Sequence, residues 1–135
     1  MRKLVIAITG LLTVGLALAE NLEGVDKMVC APVQVQICIE HDQCYPASPS
    51  ELGVPEFVVI DIRKKTISTT KASNLNRSTP FTSVERSDGL IYLQGIEGGR
   101  AFSFVIHEAS GRMTVAVSRD GLSVSVFGSC TDTKL

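Results

Sequence analysis

The stretch RAFSFVIHEASGRMTVAVSRDGLSVSVFGSC, Arg100 to Cys130, alternates apolar and polar residues in three successive runs. Phe102, Phe104 and Ile106 share one face of the first run, Met113, Val115 and Val117 one face of the second, and Leu122, Val124 and Val126 one face of the third. A period of two is the signature of a β-strand buried on one side. The joints between the runs, Ala109-Ser110-Gly111 and Asp120-Gly121, are too short for anything but antiparallel neighbours. Asp-Gly in such a position predicts a two-residue type I′ turn, because glycine takes positive φ without steric cost.

The same grammar extends upstream. Glu97-Gly98-Gly99 and Asp88-Gly89 punctuate the chain around LIYLQGI, so a five-strand meander is expected from about Thr79 to Gly128. FVVIDI and TISTTK read as a further hairpin turning through Arg63-Lys64-Lys65. VQVQICI supplies an N-terminal strand with Val33, Val35, Ile37 and Ile39 inward. In EHDQCYPASPSELGVPE three prolines argue against ladder pairing, and Ser48-Pro49-Ser50-Glu51 has the form of a capping box, which allows one helical turn before Gly53 and Pro55. KASNLNRSTP reads as an irregular loop. The expectation is an all-β chain, a single small antiparallel meander of about eight strands that hides its edges as a closed barrel or a barrel-like sandwich. Tight hairpins favour the barrel.

The front end sets the compartment. Arg2 and Lys3 precede an apolar run from Leu4 to Leu18, and Ala17-Leu18-Ala19 fits a small-x-small cleavage site, so residues 1–19 are expected to be a signal peptide. The run is shorter than the roughly 20 residues a membrane-spanning helix needs. The expectation is therefore a periplasmic or secreted protein with no membrane span after cleavage, and with residues 20–135 as a single β-domain. Taking nineteen residues from 135 leaves 116, with eleven basic groups against fourteen acidic ones and a net charge of −3. That balance argues against nucleic acid as a partner.

Export also gives Cys30, Cys38, Cys44 and Cys130 their expected role as disulfides. Their spacing fits no zinc motif, and no C-x-x-C is present. Cys30 and Cys38 lie about 26 Å apart along a continuous strand, too far to bond. Ile39 to Gln43 forms a polar turn able to close Cys38 on Cys44, which leaves Cys30 for Cys130; the pairing of Cys30 with Cys44 and Cys38 with Cys130 stays open. Cys30 shares parity with Gln34 and Gln36 whereas Cys130 shares it with Val124 and Val126, so the first pairing requires a bend or bulge near one end.

No catalytic constellation is legible. His41 and His107 are unaccompanied by a G-x-S-x-G elbow or an H-E-x-x-H helix. Asp61, inside VVIDIR, reads as half of a structural ion pair, and Glu85, Glu97 and Glu108 fall at strand ends. No catalytic, cofactor-binding or metal-ligating residue is assigned, and no cofactor is expected. Arg63, Lys64, Lys65, Lys71 and Arg77 are five basic residues in a stretch free of acids, a candidate patch for an anionic partner or else a solvated turn. Phe127 falls opposite the Val124 and Val126 face, where the N-terminal segment is expected to cover it.

SDGLIY, with Ser87, Gly89 and Tyr92, resembles a signature of the periplasmic inhibitors of c-type lysozyme. Asp88 is an extra residue in that pattern, the family's second signature of tyrosine, lysine and glycine is missing, and the likeness covers six residues of 116. It implies an inhibitor of a secreted hydrolase as one candidate function. The leading expectation is a non-enzymatic binding or interaction module that recognises a protein or an envelope component. The alternative is a carrier of a small apolar ligand, which needs a cavity of about 300 Å³ or more in place of a filled core.

Overall fold

The computed structural model describes residues 21–134; the expected signal peptide lies outside them. Ten antiparallel strands form one curled, half-barrel sheet. In chain order they are β1 (Lys27–Ile39), β2 (Tyr45–Ala47), β3 (Val58–Asp61), β4 (Thr66–Thr69), β5 (Ser78–Pro80), β6 (Ser83–Ser87), β7 (Leu90–Glu97), β8 (Arg100–His107), β9 (Arg112–Arg119) and β10 (Leu122–Asp132). The sheet runs β5-β4-β3-β1-β10-β9-β8-β7-β6, with β2 attached to β1 off this path. The five-strand meander is β6 to β10. The two strands beyond the expected eight, β2 and β5, are three residues long and each contains a proline. Proline is tolerated there because each strand has one unpaired side.

The two end strands of the sheet are consecutive in the chain. Only Phe81 and Thr82 separate β5 from β6, and Thr82 donates its amide to the carbonyl of Gln94. The sheet must therefore curl until its edges meet at this joint. Phe81 is buried there.

Strand β1 holds the two halves together. It pairs with β10 along its length, with β3 over Lys27–Cys30 and with β2 over Val35–Ile37. Its register against β10 shifts between Pro32 and Gln34, which is a β-bulge with Val33 as the extra residue. The expectation that Val33 points inward is thereby corrected, since Val33 is 70% exposed; Ile39 keeps the parity of Val35 and Ile37 and lies at the exposed strand end. The bulge reverses parity, so Met28 and Cys30 before it and Val35 and Ile37 after it all face the core. Gly128 sits opposite Pro32, where a Cβ would overlap the carbonyl oxygen of Ala31. Only glycine admits this approach of β1 to β10.

Both disulfides are in place, Cys30 with Cys130 and Cys38 with Cys44. Cys30 stands directly opposite Cys130, whose amide is turned away towards the carbonyl of Gly111 on the β9 side. The two cysteines thus form a non-hydrogen-bonded pair, the position at which antiparallel strands come closest. Their Cα atoms are 4.0 Å apart.

Turn chemistry follows the sequence with one exception. Asp88-Gly89 and Gly98-Gly99 take positive φ at both positions, as a type I′ turn requires. At Asp120-Gly121 only the glycine does, so that hairpin departs from the expected turn. Pro49–Leu52 forms a 3-10 turn, with the amide of Ser48 donating to the Glu51 carboxylate at 2.8 Å.

Candidate binding cleft

The concave face is a grid of cross-strand rows. The deepest runs Ile91, Ile106, Met113; the next Leu93, Phe104, Val115, Val126, Val35; the next Gly95, Phe102, Val117, Val124, Ile37. One end of this trough is filled. Leu22, wholly buried, enters from the N-terminal segment and donates its amide to the carbonyl of Glu108. Arg86 locks the segment down. Its guanidinium donates to the carbonyls of Leu22 and Val25, and one nitrogen lies 3.4 Å from the Glu108 carboxylate.

The other end is open. There the curled sheet leaves a cleft of about 330 Å³. Val58 and Ile67 line one wall, and Phe102, Phe104, Val115 and Val117 the other. The Phe102 and Phe104 rings meet edge to face at 6.0 Å. The mouth carries Arg77, Glu97 and Arg100. Arg119 faces Arg100 directly across the β8–β9 pair. It shares the concave parity of Val115 and Val117, so the row beyond Phe102 and Val117 is Glu97, Arg100, Arg119 and Leu122. Polarity therefore changes in one step along the cleft, from guanidinium to aromatic and aliphatic.

The basic residues singled out in the sequence do not gather. Arg63, Lys64 and Lys65 occupy the β3–β4 turn at the filled end, while Lys71 and Arg77 lie past the far end of β4. Lys65 and Lys71 are about 20 Å apart along that extended strand. Arg63 pairs with Asp26 at 2.7 Å and is 83% exposed. Asp61 is not the ion-pair partner expected for it. Its carboxylate accepts the Lys64 amide at 3.0 Å and caps the turn. Of the five, Arg77 alone lines the cleft. The sequence reading missed Arg100 and Arg119, although the signal was there: each strand's inward alternation, carried one residue further, ends on arginine at the same end of the sheet.

The remaining candidates take local roles. His107 Nδ1 is 2.8 Å from Ser110 Oγ, which also accepts the Arg112 amide, so this pair braces the β8–β9 turn. The neighbouring Glu108 carboxylate is on the opposite face with Arg86. His41 is exposed, 3.4 Å from Glu40. Among the described residues no group of three histidine, cysteine or acidic side chains is placed to hold a metal, and no helix is long and apolar enough to cross a membrane. Ser87 ends β6, Gly89 lies in the β6–β7 turn and Tyr92 lies on the convex face. Phe127 is 44% exposed on that same face. The described residues before β1, 21–26, do not cover it, because Leu22 is drawn into the concave side. The chain matches no protein-family model, no curated protein and no solved structure.

Proposed function

We propose that the chain is an exported, non-enzymatic binding module whose half-barrel cleft takes a small apolar ligand. The single observation that carries this reading is the unfilled half of the trough: about 330 Å³ of apolar-walled space between the rows, where a purely structural barrel would be packed. That size and lining are those of small-molecule sites, which fall at about 300–1,000 Å³. Two disulfides suit a periplasmic or secreted protein. The filled end, tied down by Arg86, gives the site a rigid floor, and rigidity lowers the entropic cost of binding.

Titration of the mature protein with N-phenyl-1-naphthylamine, an uncharged probe that fluoresces in apolar surroundings, tests the reading. Saturable binding is expected, and it should disappear in Val117→Trp and Val58→Trp, which fill the cleft from opposite walls. Binding that survives both substitutions in folded protein would place the probe on the convex face and overturn the proposal.

A further inference from the structure

We infer that the occupant of this cleft is a single-chain amphiphile with a carboxylate head, its hydrocarbon between the apolar rows and its head on Arg100, Arg119 and Arg77. This rests on the cleft being a binding site. Arg100 and Arg119 stand directly opposite each other on adjacent strands. Like charges in that position repel, and an anion between them removes the repulsion. Among the described residues neither guanidinium enters an ion pair or a side-chain hydrogen bond. Arg77 faces them across the mouth and donates one N–H to the carbonyl of Gly53 at 3.2 Å, which leaves most of its donors unused.

Carboxylates also share this end of the sheet: Glu97 in the rim row, Asp120 in the turn after Arg119, and Glu40 beside Gly121 of that turn. Among the described residues none of the three is in an ion pair with an arginine. Two guanidinium groups, of Arg77 and Arg100, thus line the mouth, and Arg119 stands beside Arg100 in the rim row, in a protein whose whole-chain charge is −1. A guanidinium matches the two oxygens of a carboxylate with parallel N–H donors, so an acid head suits this rim better than an alcohol or an ammonium. The step from rim to wall takes two residues along each strand, from Arg100 to Phe102 and from Arg119 to Val117, so head and hydrocarbon are read by successive rows of one face. The cleft lies near the small end of the range for ligand sites, which fits one chain and not two.

Displacement of N-phenyl-1-naphthylamine from the mature protein by dodecanoate, dodecanol and dodecyltrimethylammonium, at low salt, decides the matter. Dodecanoate is expected to displace the probe at a concentration about tenfold lower than dodecanol, the scale of a hydrogen bond to a charged group. The ammonium should be weakest, and added salt should erode the advantage of the acid. In R100Q/R119Q the ratio of dodecanol to dodecanoate should fall towards one, with R77Q lowering it less. Equal displacement by acid and alcohol in the unaltered protein overturns the carboxylate head while leaving the cleft reading standing. So does a preference for the ammonium, or a ratio unchanged in both variants. Failure of the probe itself to bind overturns both.

Discussion

The ring of Phe102 occupies the space that a side chain at Gly95 would need. The two residues are direct partners across β7 and β8, and the aromatic ring covers the gap that the glycine leaves in the sheet. The ring thereby leans towards β7, and the space beside it at the open end belongs to the cleft. A single small residue thus sets both the packing of one row and the volume above it.

Gly95→Ala is expected to destabilise the protein by about 1–3 kcal/mol, the usual cost of overpacking. In a Phe102→Ala background the same change should cost less than about 0.5 kcal/mol, because the obstruction is gone. Urea denaturation of the four proteins measures the coupling. Purely additive effects would mean that the ring does not depend on the glycine.

The two disulfides should differ in weight. Cys30–Cys130 closes 100 residues of sequence and Cys38–Cys44 only 6. Chain entropy assigns the long loop about 4.7 kcal/mol and the short one about 2. Replacement of each pair by alanine, followed by urea denaturation, should rank them in that order, and a chelator should leave the unaltered protein folded. The reverse ranking would show that the Cys38–Cys44 loop holds more of the structure than its length implies.

Removal of the guanidinium at Arg86 leaves the Glu108 carboxylate, only 12% exposed, without its cation, and the carbonyls of Leu22 and Val25 without their donor. Arg86→Leu should therefore cost about 3–5 kcal/mol, the range for breaking a covered ion pair from one side. Leu22→Ala, which empties the floor of the trough, should cost about 2–5 kcal/mol. Thermal unfolding monitored by circular dichroism checks both. Wild-type stability in Arg86→Leu would show that the N-terminal segment is held by packing alone.

The β3–β4 turn is the contrasting case. Lys64 and Lys65 are exposed, and the contact at this turn uses the Lys64 amide and not its side chain. Lys64→Ala with Lys65→Ala should change stability by less than about 0.5 kcal/mol. Arg63→Ala should cost at most about 1 kcal/mol, since its pair with Asp26 is largely in water. A larger loss in a denaturation curve would mean that the turn carries contacts beyond these.

What was legible in the sequence is what depends on neighbours a few residues apart. The alternation of Phe102, Phe104 and Ile106 names an inward face because successive side chains on a strand point to opposite sides. Asp88-Gly89 names a tight turn because its backbone needs positive φ. Even the bulge was implied, since Cys30 and Cys130 can share a face only if the parity of β1 reverses between Cys30 and Val35.

What the sequence did not determine is which rows meet across the half-barrel and whether the space between them is filled. Val58 and Ile67 read as ordinary strand residues, as do Phe104 and Val117. They become opposite walls of one cleft only because β5 passes straight into β6 and forces the two ends of the sheet together. Leu22 gave no periodic signal at all, lying outside any strand, yet it fills the floor. Arg77 and Arg100 are separated by three strands in the chain and share one mouth. Local pattern fixes the direction in which a side chain points, whereas the distance between two faces depends on the curvature of the whole sheet, which no single segment encodes.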